Sequence, residues 1–178
     1  MIVLLFGAPG TGKSTYARYL AEKINLTWVS TGNILREMGE RDEKIRSIMN
    51  SGQLIPDEEV NRLVFAKLSE VGSNFILDGF PRTLGQAQSF ADFLKAKGWA
   101  IDRIYHLNVP VETVVARMTA RGRGDDTPES IKERFNVFEE LTKPVIEYFE
   151  NAGVRRFEID NTPPIDVVKK QFDQTLHG

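Results

Sequence analysis

Three features of this sequence predict an α/β fold with a five-stranded parallel sheet flanked by helices. Short apolar runs at residues 2–6, 26–29, 74–78, 103–107 and 154–159 alternate with stretches whose apolar residues recur every three or four positions. That alternation is the pattern of repeated strand–helix units around a parallel sheet. The first run, IVLLF, has no polar face and leads into GAPGTGKS at 7–14, which matches G-x-x-x-x-G-K-[ST], the phosphate-binding loop. The third run ends in Asp78, at the strand end where open α/β sheets bind ligands.

The residues of the loop are the ones its chemistry needs. Glycines let backbone N–H groups curl round a phosphate, the following helix N-terminus adds partial positive charge, and Lys13 neutralises the β/γ oxygens. Tyr16, Ala17, Leu20, Ala21 and Ile24 then recur at helical spacing and predict a helix over 13–24. After the strand at 26–29, Ser30-Thr-Gly32 is turn and cap chemistry, with Thr31 a candidate cap for a helix starting near Asn33. Residues 33–51 are mostly polar, with Ile34, Leu35, Met38, Ile45, Ile48 and Met49 to bury. They read as a small, lightly anchored and movable helical insert, which Gly52 ends.

Pro56-Asp57 opens the next helix, striped by Val60, Leu63, Val64 and Leu68 through about residue 70. The strand ending at Asp78 runs straight into GFPR at 79–82. Thr83 caps a helix that turns Ala87, Phe90, Ala91 and Leu94 inward and stops at Gly98. Beyond the fourth strand, Pro110 opens a helix carrying Arg117 and Arg121 four apart, hence on one face. A tight loop at 122–126 precedes Thr127-Pro128, which starts a long helix with proline in the first turn, where its missing donor costs nothing. Pro144 should kink that helix near its last third. A fifth strand and a helix over 164–176 close the chain.

Bulk properties narrow the class. A chain of 178 residues is long enough for one well-buried domain. A net charge of −2 and a pI near 5.8 give no general drive towards nucleic acid or an anionic membrane. Without cysteine there is neither a disulfide framework nor a thiolate zinc site. The start of the chain has no basic segment, and its apolar run is too short for a signal peptide or a membrane span. The expectation is a cytoplasmic soluble enzyme or nucleotide-driven switch.

The remaining polar residues bear on the reaction. Asp78 either caps the Gly79 turn or, with the Ser14 hydroxyl, holds Mg²⁺ beside phosphates above Lys13. Arg36, Arg82, Arg117, Arg121, Arg123 and Arg134 are spread through loops and helix starts. As a set around a glycine loop they favour a second phosphate-bearing substrate, since a guanidinium binds phosphate bidentately and keeps its charge. The basic stretch RGRG at 121–124 suits a flap that closes over a nucleotide and excludes water. His106 and His177 stand in no carboxylate motif and read as structural.

Over its whole length the chain resembles the nucleoside monophosphate kinases, and among them the adenylate kinases. The matching motifs are GAPGTGKST, STGNILRE, SGQLIPDE, LDGFPRTLGQA, ARMTARGRGDD and ESIKERF, in the family's order. The resemblance implies a P-loop NTPase core at 1–29, 56–120 and 127–178, a nucleoside-monophosphate-binding insert at 30–55 and a very short lid at 121–126. It implies Mg²⁺-dependent conversion of ATP and AMP to two ADP, in a monomer. By position, Gly10, Thr11, Gly12, Lys13, Ser14 and Thr15 would bind ATP phosphates, with Lys13 following the transferred group. Arg117 and Arg121 would contact ATP from the lid side, and the turn at Pro163 its adenine. Thr31 and Arg36 would meet the AMP base and phosphate, and Gln53, Leu54 and Ile55 would line its ribose and base. Gly79, Phe80, Pro81 and Arg82 would cradle AMP, with Arg82 on its phosphate and Gln86 on adenine. Arg123 and Arg134 would reach across the transferred phosphoryl group and the AMP phosphate.

Four departures from the family pattern stand out. Ser14 replaces a third glycine of the loop, Asn33 stands where an acid is common, and Gly85 replaces a frequent proline. In the lid, Gly122 alone separates Arg121 from Arg123. Thr31 and Gln86 are what adenine-selective members show, whereas UMP/CMP kinases, the main alternative, tend to show Ala and Asn. A nucleotide-hydrolysing switch is disfavoured because it usually carries Asn-Lys-x-Asp, which this sequence lacks.

Overall fold

The structure is a computed structural model and describes residues 1–121 and 127–176, the side chain of Arg121 excepted. Its strands are β1 (Ile2–Gly7), β2 (Thr27–Ser30), β3 (Phe75–Asp78), β4 (Arg103–Asn108) and β5 (Arg156–Asp160). The helices are α1 (Lys13–Lys23), α2 (Thr31–Gly39), α3 (Glu43–Ser51), α4 (Asp57–Val71), α5 (Leu84–Lys97) and α6 (Val111–Arg121). They continue with α7 (Pro128–Val137), a π turn (Phe138–Thr142), α8 (Lys143–Asn151) and α9 (Ile165–Leu176).

All five strands pair in parallel, in the order β2-β3-β1-β4-β5. β1 is buried at every position because it takes the centre of the sheet, with helices over both faces. Successive side chains of a strand point to opposite faces, so its alternate residues feed two cores. Ile2, Leu4 and Phe6 join Val64, Leu68, Phe90, Ile146 and Phe149 from α4, α5 and α8. Val3 and Leu5 join Tyr16, Leu20, Val168 and Phe172 from α1 and α9. The strand order reverses direction beside β1: the chain passes from β1 outward to β2, and from β3 back across to β4. Ligands of open α/β sheets bind at such a switch point, beyond the carboxyl ends of the strands. Register places Leu5 and Ser30 on either side of Asp78 there.

Most predicted elements are present with ends shifted by one or two residues. Two differences are instructive. Ser30, not Thr31, caps α2, its hydroxyl accepting from the Asn33 N–H at 3.4 Å, so the helix starts at Thr31. Ahead of Pro144 the irregularity takes the form of a π turn, in which the Lys143 N–H reaches back five residues to the Phe138 carbonyl. Proline cannot donate to the preceding turn and its ring crowds the carbonyl four residues back, and the wider turn upstream accommodates both. Among the described residues, no helix is long and apolar enough to cross a membrane.

Candidate active site

A cleft of about 430 Å³ opens above the carboxyl ends of β1, β2 and β3, within the size range of small-ligand sites. Its floor is the phosphate-binding loop. Gly12 caps α1 in a left-handed conformation (φ 79°), no side chain caps that helix, and no acid lies in its first turn. Its amino end therefore keeps its partial positive charge for an anion in the cleft. Gly10, also left-handed, is pressed against α6: a Cβ there would come within 2.7 Å of Met118 Cγ.

Lys13 folds over the loop, its Nζ donating to the Gly7 carbonyl at 2.6 Å and the Ala8 carbonyl at 2.9 Å. Ser14 Oγ donates to Asp78 Oδ2 at 2.8 Å, and Ser14, Thr15 and Asp78 all line the cleft. Thr11 turns inward instead, its hydroxyl donating to the Ala8 carbonyl at 2.8 Å. Asn161 braces the loop from behind. It donates from Nδ2 to the Thr11 carbonyl, accepts from the Tyr16 hydroxyl at 2.6 Å, and accepts at its own carbonyl from Arg117 at 3.0 Å.

The far wall comes from α2, the 52–55 segment and the turn after β3. Thr31 is buried against the cleft and its hydroxyl has no hydrogen-bond partner among the described residues, an unpaired buried group that a ligand atom would complete. Gln53, Leu54 and Ile55 line the cleft beside it. In the GFPR turn, Gly79 (φ 86°) lets the chain double back, so that Arg82 Nε donates to the Gly79 carbonyl at 2.8 Å. Pro81 faces the cleft, whereas Phe80 packs edge-on to Phe90 in the core.

Electrostatics give this wall its character. Arg36 Nη2 donates to Asn33 Oδ1 at 2.5 Å, and Arg134 Nη2 donates to the Met49 carbonyl at 3.0 Å. With Arg82 these put three guanidiniums on this wall of the cleft, which Arg117 also lines beside the loop. Burial lowers the pKa of Arg82 from the ordinary arginine value, and the Arg134 and Arg36 charges lower it further against an opposing pull from Asp78. Concentrated positive charge of this kind is what a phosphate would neutralise.

Not every predicted residue joins the cleft. Pro163 follows β5 and is not among its lining residues. Arg123, and the lid at 121–126 apart from the backbone of Arg121, lie outside the described residues, as does His177. Sequence reasoning missed Asn161, Asp57 and Thr142, whose partners lie far along the chain. The Thr142 hydroxyl, on the π turn, donates to the Arg82 carbonyl at 3.0 Å and joins the cleft wall. It also missed the surroundings of His106, which is not isolated from acids: strand register sets it beside Glu158, with Nδ1 3.0 Å from Oε1.

Comparison with known proteins places these features in a family. Residues 5–154 match the family model described as adenylate kinase. A curated adenylate kinase from Mycobacteroides abscessus is 41% identical, with 99% of each chain covered. One from Thermotoga petrophila is 37% identical over 94% of each chain, and one from Mycobacterium leprae is 34% identical over 100% of this chain and 98% of its own. The chain belongs to the adenylate kinase family.

Proposed function

We infer that this chain transfers the γ-phosphoryl group of ATP reversibly to AMP, giving two ADP, and that the cleft is where both nucleotides bind. The observation that carries this reading is the convergence of Arg36, Arg82 and Arg134 opposite Lys13 and the loop. One nucleotide's phosphates are served by the loop and Lys13, with Arg117 beside them. A second group of three guanidiniums matches a second phosphate, brought up to the first. Phosphoryl transfer asks little covalent chemistry of a protein, so catalysis is positioning and charge stabilisation.

Residues 10–15 cradle the ATP phosphates, and Lys13 exchanges its two loop carbonyls for phosphate oxygens and follows the transferred group. Arg36, Arg82 and Arg134 hold the AMP phosphate in line, with no phosphoenzyme and no dedicated general base. Thr31 completes its orphaned hydroxyl on the acceptor base, together with Gln86. Arg117, Arg121 and Pro163 belong to the ATP side, and Arg123 to the transferred group. Residues 30–55 act as the acceptor-binding insert and 121–126 as the lid, both closing on the core to exclude water. The protein works as a cytoplasmic monomer, with no nucleic-acid or membrane partner.

Ser14 and Asp78 fit Mg²⁺: a hydroxyl and a carboxylate oxygen 2.8 Å apart are hard donors. Among the described residues no group of three His, Cys, Asp or Glu could hold a metal; Ser14 and Asp78 would hold the ion together with the nucleotide phosphates. When bound, Mg²⁺ neutralises charge on the β and γ oxygens. Replacing Ser14 with Ala raises the Mg²⁺ concentration for half-maximal rate by about tenfold, read from a metal titration at saturating nucleotide. An unchanged midpoint removes Ser14 from the metal's surroundings.

The test of the function is ADP formation from Mg-ATP with AMP, CMP, UMP, GMP or no acceptor in parallel. Turnover with AMP alone is expected. Preference for CMP or UMP overturns the base assignment, and ADP without an acceptor makes water the acceptor.

A further inference from the structure

Gln86 is 1% exposed, yet it lines the cleft, and the protein itself grips both ends of its carboxamide. Oε1 accepts from the Arg82 backbone N–H at 2.7 Å, and Nε2 donates to Asp57 Oδ1 at 2.8 Å. The other Asp57 oxygen accepts from the Thr83 hydroxyl at 2.5 Å, and that hydroxyl caps α5 by accepting from the Gln86 N–H at 3.1 Å. Turning the amide round would set N–H against N–H at Arg82 and oxygen against carboxylate at Asp57. Its orientation is therefore determined from two sides. Gly85 leaves room beside this contact, since a Cβ at that position would crowd Asp57 Oδ2 at 3.0 Å.

We propose that Asp57 is a positioning residue for acceptor choice: by holding Gln86 in one amide orientation, it makes the cleft accept a 6-aminopurine and reject a 6-oxopurine. The inference rests on the AMP reading above. After its two internal bonds, Gln86 keeps one Nε2–H and one Oε1 lone pair for a ligand. Adenine presents an accepting N1 beside a donating amine. Hypoxanthine presents the reverse, a donating N1 beside an accepting O6. A carboxamide locked in one orientation pairs with the first and opposes the second, whereas one free to turn serves either. Discrimination of this kind is large because the wrong base leaves buried polar groups unpaired. With Asp57 gone, the Arg82 N–H alone opposes the turn.

The experiment measures kcat/KM for AMP and for inosine monophosphate, with Mg-ATP as donor, in the wild type, Asp57→Ala, Asp57→Asn, Gln86→Ala and the Asp57→Ala/Gln86→Ala double variant. Asp57→Ala lowers the AMP-to-IMP ratio by about tenfold, chiefly through a lower KM for IMP, with KM for ATP unchanged. Asp57→Asn holds the ratio within about threefold of wild type, because its Oδ1 still accepts from Nε2. In the double variant the ratio equals that of Gln86→Ala, as expected of two residues acting through one contact. Should Asp57→Ala not fold, Asp57→Ser takes its place, with a hydroxyl one bond too short to reach Nε2. An unchanged ratio in Asp57→Ala, a loss in Asp57→Asn equal to that of alanine, or a further full loss in the double variant overturns the proposal. A wild type that prefers another acceptor to AMP overturns the acceptor reading itself, which the wild-type arm decides alone.

Discussion

Arg82→Ala lowers kcat/KM for AMP by about 10³-fold and leaves the melting temperature of the ligand-free protein unchanged or raised. The two halves have one cause. Without ligand, the Arg82 guanidinium is largely buried, and both its burial and the charges of Arg134 and Arg36 act against the ionised state, with Asp78 a partial counterweight. Removing it relieves that repulsion and desolvation, against the loss of its bond to the Gly79 carbonyl. In the proposed reaction the same guanidinium meets the acceptor phosphate where charge is transferred, and in a site that excludes water a fixed donor has its greatest effect. Stability and activity therefore move apart, as expected where a site holds charge in readiness for its ligand. Parallel melting curves add a check, since AMP raises the wild-type midpoint by mass action and raises that of the variant less. A loss of less than about tenfold takes Arg82 out of the reaction, and a midpoint well below wild type makes it a structural residue.

What the sequence made legible, and what it hid, divides by distance along the chain. β1, the loop and α1 are contiguous, and each part has a local signal: an apolar run, spaced glycines, a helical stripe. The Thr83 cap and the Gly98 stop of α5 are equally local, and the structure has both. Where two adjacent residues carry the same local chemistry, the reading slips. Ser30 and Thr31 are both good caps, and only the register of β2 on β3, which sets Ser30 opposite Asp78, decides between them. The π turn escaped because its residues, FEELT, favour an ordinary helix, and Pro144 lies beyond it. Contacts between distant residues had no signal at all. Asn161 meets Thr11 across 150 positions, Thr142 meets Arg82 across 60, and Gln86 meets Asp57 across 29. Asn161, Thr142 and Asp57 read as ordinary surface or turn polar residues until the sheet order brings their partners near.

His106 is the clearest case of a residue whose role only the fold reveals, and it predicts how the protein fails in acid. The ring is 5% exposed, packed near Phe138, and its Nε2 has no hydrogen-bond partner among the described residues. From β5, Arg156 lies 3.4 Å from Nδ1, and Glu158, 3.0 Å away, is itself paired with Arg156 and Asn108. Burial comes first in pushing its pKa down to about 4, followed by the charges of Arg156, Lys143 and Lys13, while Glu139 on the π turn opposes them. Folded His106 is thus neutral where an unfolded histidine, with a pKa near 6.5, already takes up a proton. Below that pH the unfolded state binds more protons, so stability falls as the pH drops, and the loss levels off near the folded value of about 4. The whole displacement corresponds to about 3 kcal/mol, a large share of the stability of a domain this size. Denaturant unfolding of the wild type and His106→Gln at pH 7.5 and 4.5 isolates this contribution from that of the carboxylates, which both proteins share. The variant should lose about 2–3 kcal/mol less between the two pH values. Equal losses in the two proteins would mean that His106 is already protonated in the folded state at pH 4.5, drawn there by Glu158, and that burial does not govern its charge.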